Sequence, residues 1–366
     1  MTTRAESPAP PFCPNAACEF HRGSTISWRW VRAGFFARRS EPCRVQRYRC
    51  GDCGRYFSEQ TFRTSYWLRS PELLAETFHA LTHCTGFRQL ARKHGCSPQT
   101  VLRHALRLGR HCLLFHEQLR PKGELTEPLA LDGFRTFEGS QYHPSEFHHV
   151  VGQRSHYAHG FTHSELRRSG TMTAHQRARR ALLERTFGRP DPGSVEREVA
   201  RVVGIVTAGA KAAEFHSDEN PAYPRAAARL AGVRIRHRTI SSRAARTSRN
   251  PLFAVNLFDG LVRHSCANHK RETIAFSKTV ASAILRLWVF VAWRNYIKWF
   301  SERRRAGTPA TRAGVCRERW SVRRLLAERL FPGRIPLPEA WQDHYWGRVP
   351  TRRLPNARCH RLRYAA

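Results

Sequence analysis

Carboxylates are scarce in this chain. Only 28 Asp and Glu stand against 63 Lys and Arg in 366 residues, leaving a formal net charge of +35. Such an excess opposes compaction unless counter-charge arrives from outside, and nucleic acid is its commonest source. The first residues, MTTRAESPAPPF, lack the apolar segment of a signal peptide. No clean membrane span is present either. The most apolar stretch, Val280 to Phe300, carries Arg286, Arg294 and Lys298 inside it, which suits a buried helix better than a spanning one. No internal repeat is visible.

What is present supports a folded protein. At 41% hydrophobic and 11% aromatic there is material for a core, and the length suits two or three domains. Eleven cysteines without a secretory signal suggest a reducing compartment, where paired cysteines mean metal more often than disulfide. Residues 1–12 are Pro-rich and expected to be disordered. Residues 13–60 are short, aromatic and cysteine-bearing, and 70–118 are patterned as helices. Residues 127–302 read as strands, with a charged helical segment near 174–187 and a long closing helix at Ala281–Phe300. Residues 303–366 form a basic, Trp-bearing extension, whose opening Arg303–Gly314 reads as a linker or exposed loop.

The N-terminal cysteines are spaced as Cys13-(4 residues)-Cys18, then Cys50-Gly-Asp-Cys53. Two thiolate pairs on tight turns are what a tetrahedral zinc site uses. Val45–Cys50 reads as a strand into the second turn and Arg55–Ser58 as one leaving it, a zinc-ribbon layout. The first spacing is longer than the usual two residues, so His21 or Cys43 stand as substitute ligands.

Residues 86–109 fit a helix-turn-helix. Phe87, Leu90 and Ala91 make one apolar face, Gly95 supplies the turn, and Ser97-Pro98 open a second helix bearing Val101, Leu102, Ala105 and Leu106. Gln99, Thr100, Arg103, His104 and Arg107 then suit a groove-facing surface. An ordinary helical hairpin with a basic face is the other reading.

In a chain so poor in acids, their positions carry information. Asp132 ends the apolar run Pro128-Leu-Ala-Leu, and Asp218 follows Ala213-Glu-Phe-His-Ser. From Asn220 to Phe258 there is no Asp or Glu, while there are eight arginines; Asp259 then stands alone until Glu272. Two-metal phosphoryl transfer needs carboxylates to hold hard divalent ions. Each aspartate alone is equally a turn or cap residue.

Five blocks in order resemble the DDE-type transposases of bacterial insertion sequences, in the branch with an N-terminal zinc ribbon and helix-turn-helix. They are CPNAAC with RYRCGDCGRYFS, RQLARKHGCSPQTVLRHA, LALDGFRTFE, FHSDENPAY, and RHSCANHKRETIAFSK. The resemblance implies a ribonuclease-H-like α/β core, a mixed sheet with helices on both faces. It also implies DNA cleavage and strand transfer with two Mg²⁺ or Mn²⁺ ions. Carried over, Asp132 is the first acid on the first core strand, Asp218 the second after the fourth strand, and Asp259 the third on a helix. Related branches carry Glu as third acid, some one helical turn earlier, where this chain has Asn256; Glu272 is the fallback. The implied partners are double-stranded DNA, as terminal inverted repeats and target, and further copies of the chain. The implied location is the bacterial cytoplasm, on the nucleoid.

Other residues have open readings. Arg263, His269, Lys270, Arg271 and Lys278 are phosphate-contact candidates or a solvated basic face. His143, His148, His149, His156, His159 and His163 read as alternating strand positions facing DNA or solvent, with a metal site as the alternative. His216 shares a strand face with Asp218. Trp341, Tyr345 and Trp346 either stack on bases or anchor a terminal module. Against the enzyme stands a sequence-specific DNA-binding protein, or an inactivated transposase, that cuts nothing. A structural RNA-associated protein is a third reading, which leaves the Arg271–Ser277 block unexplained.

Overall fold

The computed structural model describes residues 9–23, 27–38, 41–271, 273–349 and 351. The chain opens with a small antiparallel sheet, β1 (Trp30–Ala37), β2 (Arg44–Cys50) and β3 (Tyr56–Ser58), in that spatial order. Three helices follow: α1 (Leu73–Thr82), α2 (Phe87–Lys93) and α3 (Pro98–Leu119). The tight turn from α2 to α3 passes through Gly95 at φ +58°, and the Ser97 hydroxyl caps α3 by accepting from the Gln99 N–H at 3.2 Å. Leu90, Ala91 and Val101 close the small apolar contact between the two helices.

A second sheet carries β4 (Leu129–Phe137), β5 (Pro144–Gly152) and β6 (Ala158–Glu165). After α4 (Ala174–Phe187) and α5 (Ser194–Val206) come β7 (Ala212–Ser217), α6 (Ala222–Ala228) and β8 (Arg234–Thr239). The spatial order is β6-β5-β4-β7-β8. The β4–β5 and β5–β6 pairs are antiparallel, whereas β4–β7 and β7–β8 are parallel, so this is a mixed sheet in an α/β protein. Alternation along β4 splits the core in two. Leu129 and Leu131 face α5 and α6, while Ala130 and Phe134 face α7 (Phe253–Ser265) and α8 (Val280–Ala292).

Helix α8 is buried all round, as its uniformly apolar sequence requires. Its α-helical winding stops at Ala292 and one wider turn, Trp293–Ile297, continues it, so the helix expected over Ala281–Phe300 is regular only in its first part. Arg286 is buried with its guanidinium 4.6 Å over the Phe87 ring. The second half of α3 packs along α8, and Gly109 makes the close approach possible: a Cβ there would meet the Leu285 carbonyl oxygen at 2.3 Å.

The C-terminal part returns to this same core through α9 (Pro309–Arg312), α10 (Val322–Leu325) and α11 (Glu339–Trp346). Thr308, Pro309 and Ala310 are buried, so the expected linker is exposed at 303–306 and again at Arg312 and Gly314, but not in its middle. Trp341 is 0% exposed and donates its indole N–H to the Phe161 carbonyl at 3.0 Å. Gly160, at φ +145°, leaves room for the ring. Trp341 and Tyr345 therefore cannot stack on bases; Trp341 plugs the core beneath β6. Among the described residues, no helix is long and apolar enough to cross a membrane.

The α3–α8 contact has a direct consequence. Gly109→Ala should lower stability by about 2 kcal/mol through overpacking, read as a fall in denaturant midpoint without a change in slope. Unchanged stability would mean that the two helices do not approach this closely.

Candidate functional site

Two places gather chemistry-bearing side chains. At the end of the small sheet, Cys13 and Cys53 bring their sulfurs to 3.6 Å, and Cys18 and Cys50 theirs to 3.9 Å. All four lie within 4.8 Å of one another. A tetrahedral ion with metal–sulfur bonds near 2.3 Å spaces its sulfurs roughly 3.8 Å apart, so the cluster fits zinc. Burial pushes the Cys18 thiol up to about 12. Burial also works against the Cys50 thiolate, but N–H donors from Trp28, Cys53 and Asp52 hold it down to about 7. His21 stands outside this four-sulfur group, its Nδ1 donating to the Cys13 carbonyl at 2.9 Å. Cys43 is exposed beside Glu41 and also lies apart.

The second place is set by β-strand register. Leu129, Ala130 and Leu131 of β4 pair in parallel with Phe215, His216 and Ser217 of β7. Asp132 and Asp218 are the next residues on each strand, so they leave the paired region side by side, on strands about 4.8 Å apart. From here β4 leads outward to β5 and β7 leads the other way to β8. The carboxyl end of parallel strands that diverge in this manner is where open α/β sheets bind ligands.

Asp259 reaches the same region from α7 and meets His149 Nδ1 at 2.8 Å. His149 stands directly across β5 from Asp132. Burial, and then the charge of Asp259, pushes Asp132 up to about 7; Asp218 and Glu146 add to the shift and the Gly133 N–H opposes it. The three aspartates thus share one electrostatic environment. Their oxygens do not all lie within 4.8 Å of one another: among the described residues only the four cysteines form so tight a ligand group. Glu272 lies outside the described residues.

Sequence reasoning missed three members of this site. Glu146, on β5, is 3% exposed and lies over Gly133, where a Cβ would meet its carboxyl carbon at 2.6 Å. One oxygen accepts from Arg135 at 2.9 Å, and the other, Oε2, is buried without a hydrogen bond. Burial raises its pKa, against the pull of Arg135. Tyr223 of α6 is buried among the acids: burial, Asp132, Glu146, Asp218 and Asp259 all raise its hydroxyl pKa. His149 orients Asp259. The signal available for Glu146 was a single acid in the otherwise apolar and histidine-rich run Phe147–Val151 and its approach.

The remaining expected contacts divide. Gln99 and Arg103 are exposed and Thr100 half-buried near the start of α3. His104 is 3% exposed, so it cannot enter a groove; it sits one turn on, on the face packed against α1. Arg107 is likewise turned inward, donating to the Thr64 and Tyr66 carbonyls. Lys270, Arg271 and Lys278 are exposed around the block after α7. Arg263 braces the site instead, donating to the Arg135 and His269 carbonyls with its guanidinium 4.3 Å over Phe134. His269 is buried. His148, His149 and His159 are buried too, rather than facing DNA or solvent. His216 meets Gln153 and Glu214, not the aspartates.

No protein-family model matches the chain, and no curated protein matches it either. Among solved structures, the chain is similar to a chain of the simian T-cell lymphotropic virus intasome in complex with PP2A regulatory subunit B56 gamma. The match covers 66% of this chain and 72% of that one, at 15% identity and a TM-score of 0.26. A likeness of that size carries no functional argument.

Two outcomes follow from the geometry. Zinc analysis should find about one equivalent per chain, and Cys50→Ser should lose it together with several kcal/mol of stability; a zinc-free wild-type chain that melts like the loaded one would exclude the site. The second concerns Asp132, whose folded pKa lies above its ordinary 3.8. The folded state then holds a proton that the unfolded state releases, so this group's contribution is present at low pH and is lost as pH rises from about 4 to about 7. Without added magnesium, Asp132→Asn should melt several degrees above wild type at pH 8 and alike at pH 4. A pH-independent difference would contradict the burial of Asp132 among other acids.

Proposed function

We propose that the chain is a DNA strand-transferring enzyme of the DDE insertion-sequence transposase type. In this reading residues 13–60 are a zinc ribbon, 70–118 a helix-turn-helix unit that reads the element's terminal inverted repeats, and 127–302 a ribonuclease-H-like core. The observation that carries it is the β4–β7 register, which sets Asp132 beside Asp218, with Asp259 facing them from α7, in a chain of charge +35. The ordered blocks of the sequence resemblance support the same assignment.

The donor set fits hard divalent ions. Asp132, Asp218 and Asp259 offer carboxylate oxygens, and Oε2 of Glu146, which makes no hydrogen bond, lies close by. Bound Mg²⁺ or Mn²⁺ would activate the attacking oxygen and stabilise the leaving one. In cleavage, a bond forms between a water oxygen and the phosphorus, the bond from phosphorus to the 3′-oxygen breaks, and that oxygen leaves as a hydroxyl. In joining, that 3′-hydroxyl oxygen bonds to a target-DNA phosphorus while the bond from that phosphorus to the target's own 3′-oxygen breaks, and the proton lost by the attacking hydroxyl goes to the oxygen that leaves. His149 holds the Asp259 carboxylate in place. Gln99, Thr100 and Arg103 make the base-reading surface, and Lys270, Arg271 and Lys278 contact phosphates of the strand led to the acids. Two element ends must be held together, so the DNA-bound form is an oligomer, acting on the bacterial nucleoid.

A DNA-binding protein that cuts nothing is the second reading, favoured by one observation: the three aspartates do not gather as tightly as the four cysteines do. One experiment separates the two. Purified chain with Mg²⁺ or Mn²⁺ and DNA bearing the terminal repeats should give 3′-hydroxyl nicks and joined strands. Asp132→Ala or Asp218→Ala should reduce cleavage at least roughly 1,000-fold, with salt-sensitive DNA binding retained. Full cleavage by either variant would place the active site elsewhere. Binding by wild type without any metal-dependent cutting would establish the second reading.

A further inference from the structure

The outward face of the small N-terminal sheet takes no part in the chemistry proposed above. Side chains alternate along β2: Tyr48 and Cys50 are buried on the side of the cysteine cluster, while Arg47 and Arg49 are exposed on the other. In β3, Phe57 packs inward, stacked against Trp28 and Tyr48, which turns its neighbour Tyr56 outward. Register sets Val31, Arg49 and Tyr56 in one row across the three strands, because Val31 pairs with Arg49 and Arg49 with Tyr56.

Apolar side chains are turned to water here. Tyr56 is 61% exposed and Val31 55%, and Phe35, toward the far end of β1, is 46% exposed. Large apolar groups gathered on one exposed surface mark a contact site. Arginines accompany both rings: the Arg49 guanidinium lies 5.7 Å over Tyr56, and that of Arg44 4.0 Å over Phe35. The segment from Ser27 to Ser58 holds eight arginines and only two acids. Neither acid lies in the row. Glu41 is engaged by Cys43 in the connection from β1 to β2, and Asp52 stands beside Cys18 in the turn from β2 to β3.

We propose that this face binds single-stranded DNA, with Tyr56 stacked on an unpaired base and Arg47 and Arg49 on the flanking phosphates. The charge calls for a polyanion rather than an apolar protein surface. An exposed ring stacks on any base, but only where the strand is unpaired and the base can be splayed out, so a duplex does not fit. Apart from the Tyr56 hydroxyl, the row offers no neutral hydrogen-bonding side chain to hold a 2′-hydroxyl, which favours DNA over RNA. The inference uses none of the acids of the second sheet and stands whether or not they cut DNA.

The test measures binding of the full chain, purified with zinc, to a labelled oligothymidylate of about 12 nucleotides and to a duplex of the same length. Tyr56→Ala should weaken single-strand binding roughly tenfold and leave duplex binding unchanged, and Tyr56→Trp should restore it. Arg49→Gln should reduce the salt slope of single-strand binding by about 0.7. Unaltered zinc content and melting of each variant control for folding. No loss in Tyr56→Ala, or an equal loss on single strand and duplex, would overturn the proposal. Tighter Tyr56-dependent binding of oligouridylate would overturn the assignment to DNA. A change in oligomeric state in Tyr56→Ala, with single-strand binding intact, would make the face a contact between copies instead.

Discussion

Three paired residues in two parallel strands decide where this chain's acids meet. Leu129, Ala130 and Leu131 lie against Phe215, His216 and Ser217, and the strands then part. Because side chains alternate along a strand, a slip of one residue would send Asp132 to the face covered by α5 and α6. The register is held from both sides: Leu129 and Leu131 are buried against α5 and α6, and Ala130 and Phe134 against α7 and α8. The position of Asp259 depends on the same packing, since α7 rests on β4 and β5 and its carboxylate is held by His149 of β5.

The scarcity of acid shapes the rest. With few carboxylates available, several buried cations are accommodated by other means, although Arg120 is paired with Glu117. Arg286 lies over Phe87, Arg263 over Phe134, and Arg107 and Arg329 are met by backbone carbonyls. Carboxylates gather instead at one place, where burial first, and then the neighbouring acids, raise the Asp132 and Tyr223 pKa values above their ordinary ranges. Gathering like charges costs stability, a cost that cations bound as proposed would offset.

Much of this was legible beforehand because it depends on local chemistry. The spacing of Cys13, Cys18, Cys50 and Cys53 brought four sulfurs together, Ser97 and Pro98 began a helix, and the charged segment near 174–187 became α4. Helix faces were less legible. His104 and Arg107 are polar, so composition alone assigned them outward, yet α3 turns them in, His104 toward α1 and Arg107 toward the Thr64 and Tyr66 carbonyls. The C-terminal extension was opaque for a related reason: its short helices have weak patterns, and their burial comes from contacts far away in sequence, such as Trp341 with Phe161.

The sequence by itself determined the cysteine cluster, the chain's excess of positive charge, and the candidacy of Asp132, Asp218 and Asp259, since these rest on residue type and short spacing. The tertiary structure alone decided that Glu146, His149 and Tyr223 join those acids, and that His104 and Arg107 turn inward. Those groupings draw on residues far apart in the chain, and which face each one presents is set by strand register and helix packing, neither of which is written in any local stretch of residues.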